Sequence, residues 1–545
     1  MVLFKEVKKP VIRTMGISGI SSLRPVFVTK APPCASRCPN GNQIRDLLVM
    51  IAQAKDYGLS AEQAFERAWN RLAERNPFPA ITGRVCPHPC EEACNRNAKD
   101  GAVAFHEIER MLGDLGLAQN FKLPRLAGEA RAEKVAVVGA GPAGLSCAYQ
   151  LARRGYSVTI FESFPLPGGM LRYSIPGSRL EASVLDAEIN RLLELGIELR
   201  CNCRIGVDVS LEQLRREYHA VFVGTGAWQT VPLGVPGENA HNVIGALDFL
   251  RRLNGAEQIE IGTRAVVVGA GPTAIDVARA SRRLGAHVTM VGAEITGANG
   301  EIIAVRNEGV QVEVPAVPVA ILAEEGRAKG MRCKYLPGEA VASASSSSFS
   351  RCTSGVEFDL EASFVIVATN REPDLRGFKA IVNGNGWFRT DDWGRAAAGL
   401  FAGGDNTGLG TVTRAIAQGR LAAEAMDRQF RGLEPGKSRP LPVITADKMR
   451  LEWYQAAPRQ LATNAAERRF DGVHETGWSE RAIVSESKRC MSCGMCMDCE
   501  TCWMYCSREC FVRLPKGEHC GIKLELCNGC KKCAEACPSG YIELV

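Results

Sequence analysis

Lys134-Val-Ala-Val-Val-Gly139-Ala-Gly141-Pro-Ala-Gly144 is an apolar run that enters a glycine-rich turn and continues as a helix through Leu145-Ser-Cys-Ala-Tyr-Gln-Leu-Ala152. The first glycine permits a tight turn, the second lets a pyrophosphate approach the backbone, and the third lets the helix press on the strand. An anion at that position meets the free N–H groups and positive dipole of the helix N-terminus. Tyr156-Ser-Val-Thr-Ile-Phe-Glu162 follows as a second strand ending in an acid, a carboxylate suited to ribose hydroxyls. A lone glycine turn says little, but strand, turn, helix and acid in this order predict a parallel α/β dinucleotide-binding fold.

The pattern returns at Arg264-Ala-Val-Val-Val-Gly269-Ala-Gly271-Pro-Thr-Ala274. Its next strand, His287-Val-Thr-Met-Val291, runs into Gly292-Ala293-Glu294 with no arginine nearby. NADP sites usually place an arginine at the 2′-phosphate, so NADH is expected over NADPH, with Glu294 at the ribose or else a solvated loop carboxylate. Strand ends at Val223-Gly-Thr-Gly-Ala227 and Val367-Ala-Thr-Asn370, with Leu400-Phe-Ala-Gly-Gly-Asp405, suggest a FAD domain into which a NAD domain is inserted. This arrangement resembles the two-dinucleotide-binding-domain flavoproteins, and the resemblance implies that Asp405 meets the flavin ribityl chain. The residues expected toward FAD are Gly139, Gly141, Gly144, Glu162, Gly169 and Asp405; those toward NAD are Gly269, Gly271, Ala274 and Glu294.

The chain has 545 residues, 46% hydrophobic and 23% charged, the balance of a soluble globular protein with about three or four domains. A dispersed net charge of +6 gives no footprint for nucleic acid. No apolar stretch is long enough for a membrane span. The opening MVLFKEVKKPVIR lacks the apolar core of a signal peptide, so a cytoplasmic location is expected.

Of the 22 cysteines, twelve lie between Cys490 and Cys537 and five between Cys34 and Cys94. Thiols kept reduced and clustered in this way read as metal ligands. Cys496-x2-Cys499-x2-Cys502-x3-Cys506 and Cys527-x2-Cys530-x2-Cys533-x3-Cys537-Pro538 are the bacterial ferredoxin run written twice. In that run three thiolates hold one [4Fe–4S] cube and the fourth serves the other. Cys537 therefore joins Cys496, Cys499 and Cys502, and Cys506 joins Cys527, Cys530 and Cys533. Zinc would need only four tetrahedral ligands. Cys147, Cys201, Cys203, Cys333 and Cys352 read as structural, and no redox dithiol follows the first glycine turn.

The N-terminal set is Cys34-x3-Cys38 and Cys86-Pro-His-Pro-Cys90-x3-Cys94. NPFPAITGRVCPHPCEEACNR, followed by VGAGPAGLSCAYQLARRGYSVTIFE, resembles the glutamate synthase small-subunit family over roughly residues 30–430. The resemblance implies two [4Fe–4S] clusters ahead of the flavin, one of them held by Cys38, Cys86, Cys90 and Glu109. Read without it, Glu109 is a helix-surface carboxylate. Relatives carry a further CxxC upstream, whereas residues 1–33 hold no cysteine. Cys490-Met-Ser-Cys493 is the candidate replacement, folding back to Cys34 and Cys94; otherwise these are spare thiols of a lost cluster. Cys510 and Cys520 stay unassigned.

The expected architecture is α/β: two Rossmann-like domains, an N-terminal α-helical Fe–S domain and a C-terminal 2[4Fe–4S] ferredoxin-like domain. Its boundaries are 1–130 (Fe–S), 131–250 with 375–435 (FAD), 251–374 (NAD), 436–489 (linker) and 490–545 (ferredoxin-like). Ser60-Ala-Glu-Gln63 predicts a capped helix that buries Phe65, Trp69 and Leu72, and Val341–Ser350 reads as a low-complexity surface loop. NADH gives two electrons at once and clusters take one, so a flavin belongs between them, and no acid–base residue is required.

No substrate domain is visible, so a protein acceptor is expected. The ferredoxin-type tail and the opening VIRTMGISGISSLRPVFV most resemble the members that work with dissimilatory sulfite reductase, implying that siroheme enzyme as partner. An amidotransferase partner of the glutamate-synthase type, a flavin-based bifurcating NADH/ferredoxin system and a non-catalytic redox sensor are the alternatives. A homodimer is left open, as is a natural chain extending past Val545.

Overall fold

The computed structural model describes residues 21–295, 299–337, 355–382, 385–434, 440–460, 479–515 and 518–545. The Val341–Ser350 stretch, Cys352 and the first part of the VIRTMGISGISSLRPVFV segment lie outside them. The chain forms two compact units: Arg125–Glu434 is one, and the residues before it join those after it to form the other. The sequence assigns an Fe–S domain, a linker and a ferredoxin-like domain to what is thus a single unit.

In the unit built from both chain ends, Ser60 caps the helix Ala61–Ala73 through a capping box with Gln63, and Phe65, Trp69 and Leu72 are buried as expected. The helices Pro79–Val85 and Phe105–Ala118 cross with their backbones nearly touching. A Cβ on Gly113 would stand 2.1 Å from the Ala80 nitrogen, and one on Gly83 would stand 2.4 Å from the Arg110 backbone. The strand Pro25–Phe27 pairs antiparallel with Ile542–Leu544, so the N-terminal segment is part of the cysteine-rich module. Gly494 and Gly540 are reached from the same segment, by the Lys30 backbone N–H and ammonium respectively. Ala31 bridges to Val443, and the helix Glu480–Ser487 belongs to this unit too.

The other unit holds two sheets of the expected kind. The first runs Arg395–Ala397, Leu400–Ala402, Ala220–Val223, Lys134–Val138, Ser157–Phe161, Glu198–Arg200, parallel except at its first edge. The second is wholly parallel: Gln311–Glu313, His287–Val291, Arg264–Val268, Phe364–Val367, Val243–Gly245. Val243–Gly245 lies in the second sheet, which therefore starts ahead of residue 251, where the sequence puts the boundary. The short antiparallel ladder of Gln229–Thr230 with Arg371–Glu372 lies where the chain leaves and re-enters the first domain. The helix Val412–Phe430 packs on Pro142–Ala152, with Gly419 so near Ala143 that a Cβ would meet its carbonyl at 2.0 Å.

Candidate functional site

The first glycine turn is built for close approach. Gly139 has φ +98°, and a Cβ on Gly144 would meet the Gly139 carbonyl at 1.9 Å, so helix and strand touch there. Gly169, at φ +53°, lies against Gly141, where a Cβ would come within 2.8 Å of the Gly141 Cα. The Gly168 N–H donates to the Ala140 carbonyl and ties this loop to the turn. Glu162 is buried at the end of its strand and accepts from the Ala140 N–H at 2.6 Å and the Phe164 N–H at 2.9 Å. Burial raises its carboxyl above the usual range, against those N–H bonds.

Asp405 follows Gly404, where a Cβ would stand 3.1 Å from the Ala143 Cβ of the first turn's helix, and its Oδ1 accepts from the Gly410 N–H at 3.2 Å. Burial pushes its carboxyl up, and Arg371, 3.7 Å away, pulls it down. Arg371 sits on the connecting ladder and also contacts the Met170 sulfur. Two buried polar atoms, Thr225 Oγ1 just past the strand Ala220–Val223 and Asn406 Oδ1 beside Asp405, have no hydrogen-bond partner among the described residues. Tight glycine cradles, a buried acid and orphaned polar atoms fit a bound FAD. Arg371, Thr225 and Asn406 are not apparent from the sequence, because nothing local distinguishes them from loop residues.

The second turn repeats this geometry. Gly269 has φ +135°, and a Cβ there would meet the Ala368 carbonyl at 2.5 Å; Ala274 is buried in the following helix. Gly271 is the residue before that helix. The residue placed like Glu162, one past the strand His287–Val291, is Gly292, and Glu294 stands exposed two residues on.

In the two-ended unit, Cys34 and Cys94 line one cavity with Cys490 and Cys493, beside Arg45 and Arg96. Burial and then the facing charges of Cys490, Cys493 and Cys94 push the Cys34 thiol well up. Burial likewise raises Cys490 to about 11 and Cys493 to about 12. Thiols that raise one another are a donor set awaiting positive charge. Arg489 fastens the Cys490 segment here: it donates to Ala102 O at 2.8 Å, Gly101 O at 2.7 Å, Ala457 O at 3.0 Å and Glu486 Oε1 at 2.6 Å. Arg96 donates to the Arg489 carbonyl, and Asp100 bonds both arginines.

Cys38, Cys86, Cys90 and Glu109 form a second group, in which Cys90 feels Glu109, Cys38 and Cys86. Glu109 is buried inside the Phe105–Ala118 crossing and is not on a helix surface. Its oxygens take Asn76 Nδ2 and His88 Nε2, each at 3.1 Å. Cys34 and Cys38, one helical turn apart, face different groups, while Cys90 lines the Cys34 cavity and also faces Glu109, Cys38 and Cys86.

Among the ferredoxin-like cysteines, Cys499 faces Cys537, and Cys533 faces Cys506 with Cys530 and Cys527. A backbone N–H two residues on reaches sulfur at Cys86 (3.4 Å) and Cys527 (3.4 Å), and likewise at Cys490, Cys496 and Cys499. Left-handed residues form several of these turns: His88, Ser492 and Asp498. Among the described residues, no three cysteine sulfurs lie within 4.8 Å of one another, although Cys496, Asp498 and His519 do. Four thiolates on one zinc, at ~2.3 Å from the metal, would stand about 3.8 Å apart. The paired ferredoxin spacing of these thiols is that of [4Fe–4S] ligands.

This fold and donor set define an NAD(P)H-dependent iron–sulfur flavoprotein oxidoreductase. Residues 133–419 match the family described as pyridine nucleotide-disulphide oxidoreductase, and residues 18–121 match dihydropyrimidine dehydrogenase domain II, 4Fe-4S cluster. The chain belongs to the pyridine nucleotide-disulphide oxidoreductase family. It is 36% identical to the NADP(+)-dependent formate dehydrogenase subunit beta of Moorella thermoacetica, over 74% of this chain and 60% of that protein. It is 31% identical to the NADPH-Fe(3+) oxidoreductase subunit beta of Geobacter sulfurreducens, over 86% of this chain and 76% of that one. With the glutamate synthase [NADPH] small chain of Mycobacterium tuberculosis it shares 30% identity, over 74% of this chain and 86% of that one. The chain thus spans well under two thirds of the formate dehydrogenase subunit's length. No helix among the described residues is long and apolar enough to cross a membrane.

Proposed function

We propose that this protein is a cytoplasmic electron-input subunit that exchanges electrons between NADH and a partner redox protein. Gly139, Gly141, Gly144, Gly169, Glu162 and Asp405 hold FAD, and Gly269, Gly271 and Ala274 hold the nicotinamide dinucleotide. Four clusters take the ligand sets Cys34/Cys94/Cys490/Cys493, Cys38/Cys86/Cys90/Glu109, Cys496/Cys499/Cys502/Cys537 and Cys527/Cys530/Cys533/Cys506. The observation that carries this reading is the cavity shared by Cys34, Cys94, Cys490 and Cys493, because it supplies the ligands that the first two cysteines lack. When bound, the flavin converts a two-electron hydride into single electrons for the clusters. The protein's own residues bind, orient and set the electrostatics.

NADH is preferred because residues 292–295 offer no cation for a 2′-phosphate, although the relatives named above carry NADP or NADPH in their names. Gly292 in place of an acid removes part of the usual NAD signature, so the discrimination rests on the missing arginine.

The proposed acceptor is dissimilatory sulfite reductase, a DsrL-type role in sulfur metabolism, supported by the ferredoxin-like tail and the opening segment. Anaerobic affinity purification with identification of partners by mass spectrometry tests it. Sulfite reductase subunits are the expected partners; a glutamate synthase large subunit or a second flavoprotein overturns the acceptor and leaves the NADH–FAD–cluster reading standing.

A further inference from the structure

The cysteine-rich module holds two thiols beyond the eight of its ferredoxin runs, Cys510 and Cys520. They are 2% and 7% exposed. One hairpin carries both: Cys510 directly precedes the strand Phe511–Arg513, and Cys520 opens its partner Cys520–Ile522. Lys523 N–H donates to the Cys510 carbonyl at 2.7 Å, and Arg513 pairs with Cys520, so both backbone positions are fixed.

Their side chains fall one to each site. The Cys510 N–H donates to Cys506 Sγ at 3.2 Å, and the Cys510 thiol faces both Cys506 and Cys527. The Cys520 thiol packs in the same buried cluster as Cys502 and faces Cys502 and Cys496. Each site therefore presents five thiols to four iron corners. Both belong to one buried cluster with Cys506, Cys533 and Cys537 as well as Phe511 and Ile542, so ligand thiols lie among their neighbours.

We propose that Cys510 and Cys520 are reserve ligands, able to take an iron corner from Cys506 and Cys502 respectively. In the first exchange the iron–Cys506 bond breaks, an iron–Cys510 bond forms, and the proton lost from Cys510 passes to Cys506; no electron moves. The cube survives loss of one ligand, and its potential moves because the hydrogen bonds to its sulfurs change. This inference rests on the cluster assignment made above for the module.

The test is iron and acid-labile sulfide per flavin, with low-temperature EPR, on the anaerobically purified full chain and its Cys506→Ala, Cys510→Ala and doubly substituted variants. The wild type and both single variants are expected to carry equal iron, with a shifted EPR signal in Cys506→Ala, while the double variant loses one cluster's iron. The pair Cys502→Ala and Cys502→Ala/Cys520→Ala is expected to behave alike. Cluster loss in Cys506→Ala alone, or retention in the double variant, overturns the reserve role. A wild type lacking the module's clusters overturns the cluster assignment, and the reserve role with it. Should Cys506→Ala fail to fold, Cys510→Ala still decides: several-fold faster iron release to a chelator is expected, and a wild-type rate overturns the role.

Discussion

Cys34, just past the N-terminal strand, and Cys490, just past the helix Glu480–Ser487, face the same cavity. Cys34 has only Cys38 near it in sequence, and the cysteines that next follow Cys493 belong to the ferredoxin runs. Replacing Cys490 with Ala is therefore expected to remove one cluster's iron while leaving the flavin and the other clusters in place. Iron per flavin measures this, and a Cys490→Ala protein that keeps all its iron would refute the shared site.

Arg489 is the clamp behind that meeting. Its side chain is 2% exposed and that of its partner Glu486 is 0%. Breaking a buried pair by removing one member costs about 3–5 kcal/mol, since the remaining charge is left without its partner. Arg489→Met is expected to lose stability on that scale in denaturant titration and to lose the same cluster as Cys490→Ala. Adding Glu486→Gln is expected to recover part of the stability.

Asp100 gives the clamp its acid limit. Burial raises its carboxyl, but hydrogen bonds from Arg96 and the Ala457 N–H outweigh this and hold it at about 2. Its folded value lies below the unfolded one near 3.9, so the stabilisation is complete above about pH 4 and is lost as pH falls toward 2. The stability gap between the wild type and Asp100→Asn is expected to stay level from neutral pH to about pH 5 and to narrow below about pH 4. A gap that widens on acidification contradicts this sign.

Gly113→Ala tests the helix crossing that sets Glu109. The added methyl would lie 2.1 Å from the Ala80 nitrogen, so the helices must part. Overpacking of this kind costs roughly 1–3 kcal/mol. Thermal unfolding should show the loss, with the Cys38/Cys86/Cys90/Glu109 cluster depleted ahead of the others.

Nucleotide choice is addressed at Ala293, exposed just past the strand His287–Val291. Ala293→Arg supplies a cation for a 2′-phosphate and is expected to raise kcat/KM for NADPH relative to NADH by about tenfold, ~1.4 kcal/mol. An unchanged ratio places the 2′-position elsewhere.

Much of this was legible in the sequence because glycine turns and ferredoxin spacing are local. Gly139 and Gly269 need positive φ, and each announces itself within a dozen residues. The CxxC of Cys490 could be matched to Cys34 only by counting ligands, because the contacts that dock it run through backbone carbonyls at Asp100–Ala102, which carry no side-chain signature. The strand Pro25–Phe27 was hidden for the same reason, and Arg371 because its partners Asp405 and Met170 are distant in sequence. At the second turn the residue just past the strand is Gly292, and Glu294, the acid that the sequence offers for a ribose, stands exposed two residues further on.

The ladder between Pro25–Phe27 and Ile542–Leu544 also sets a timetable. On the ribosome, the N-terminal strand and Cys34 emerge long before their partners, while the whole nucleotide-binding unit can fold in the interval. The Cys34 site cannot close until Cys493 has been made, and the module's sheet is completed later still. Iron can therefore fill the Cys34 site only after the nucleotide-binding segment has been synthesised.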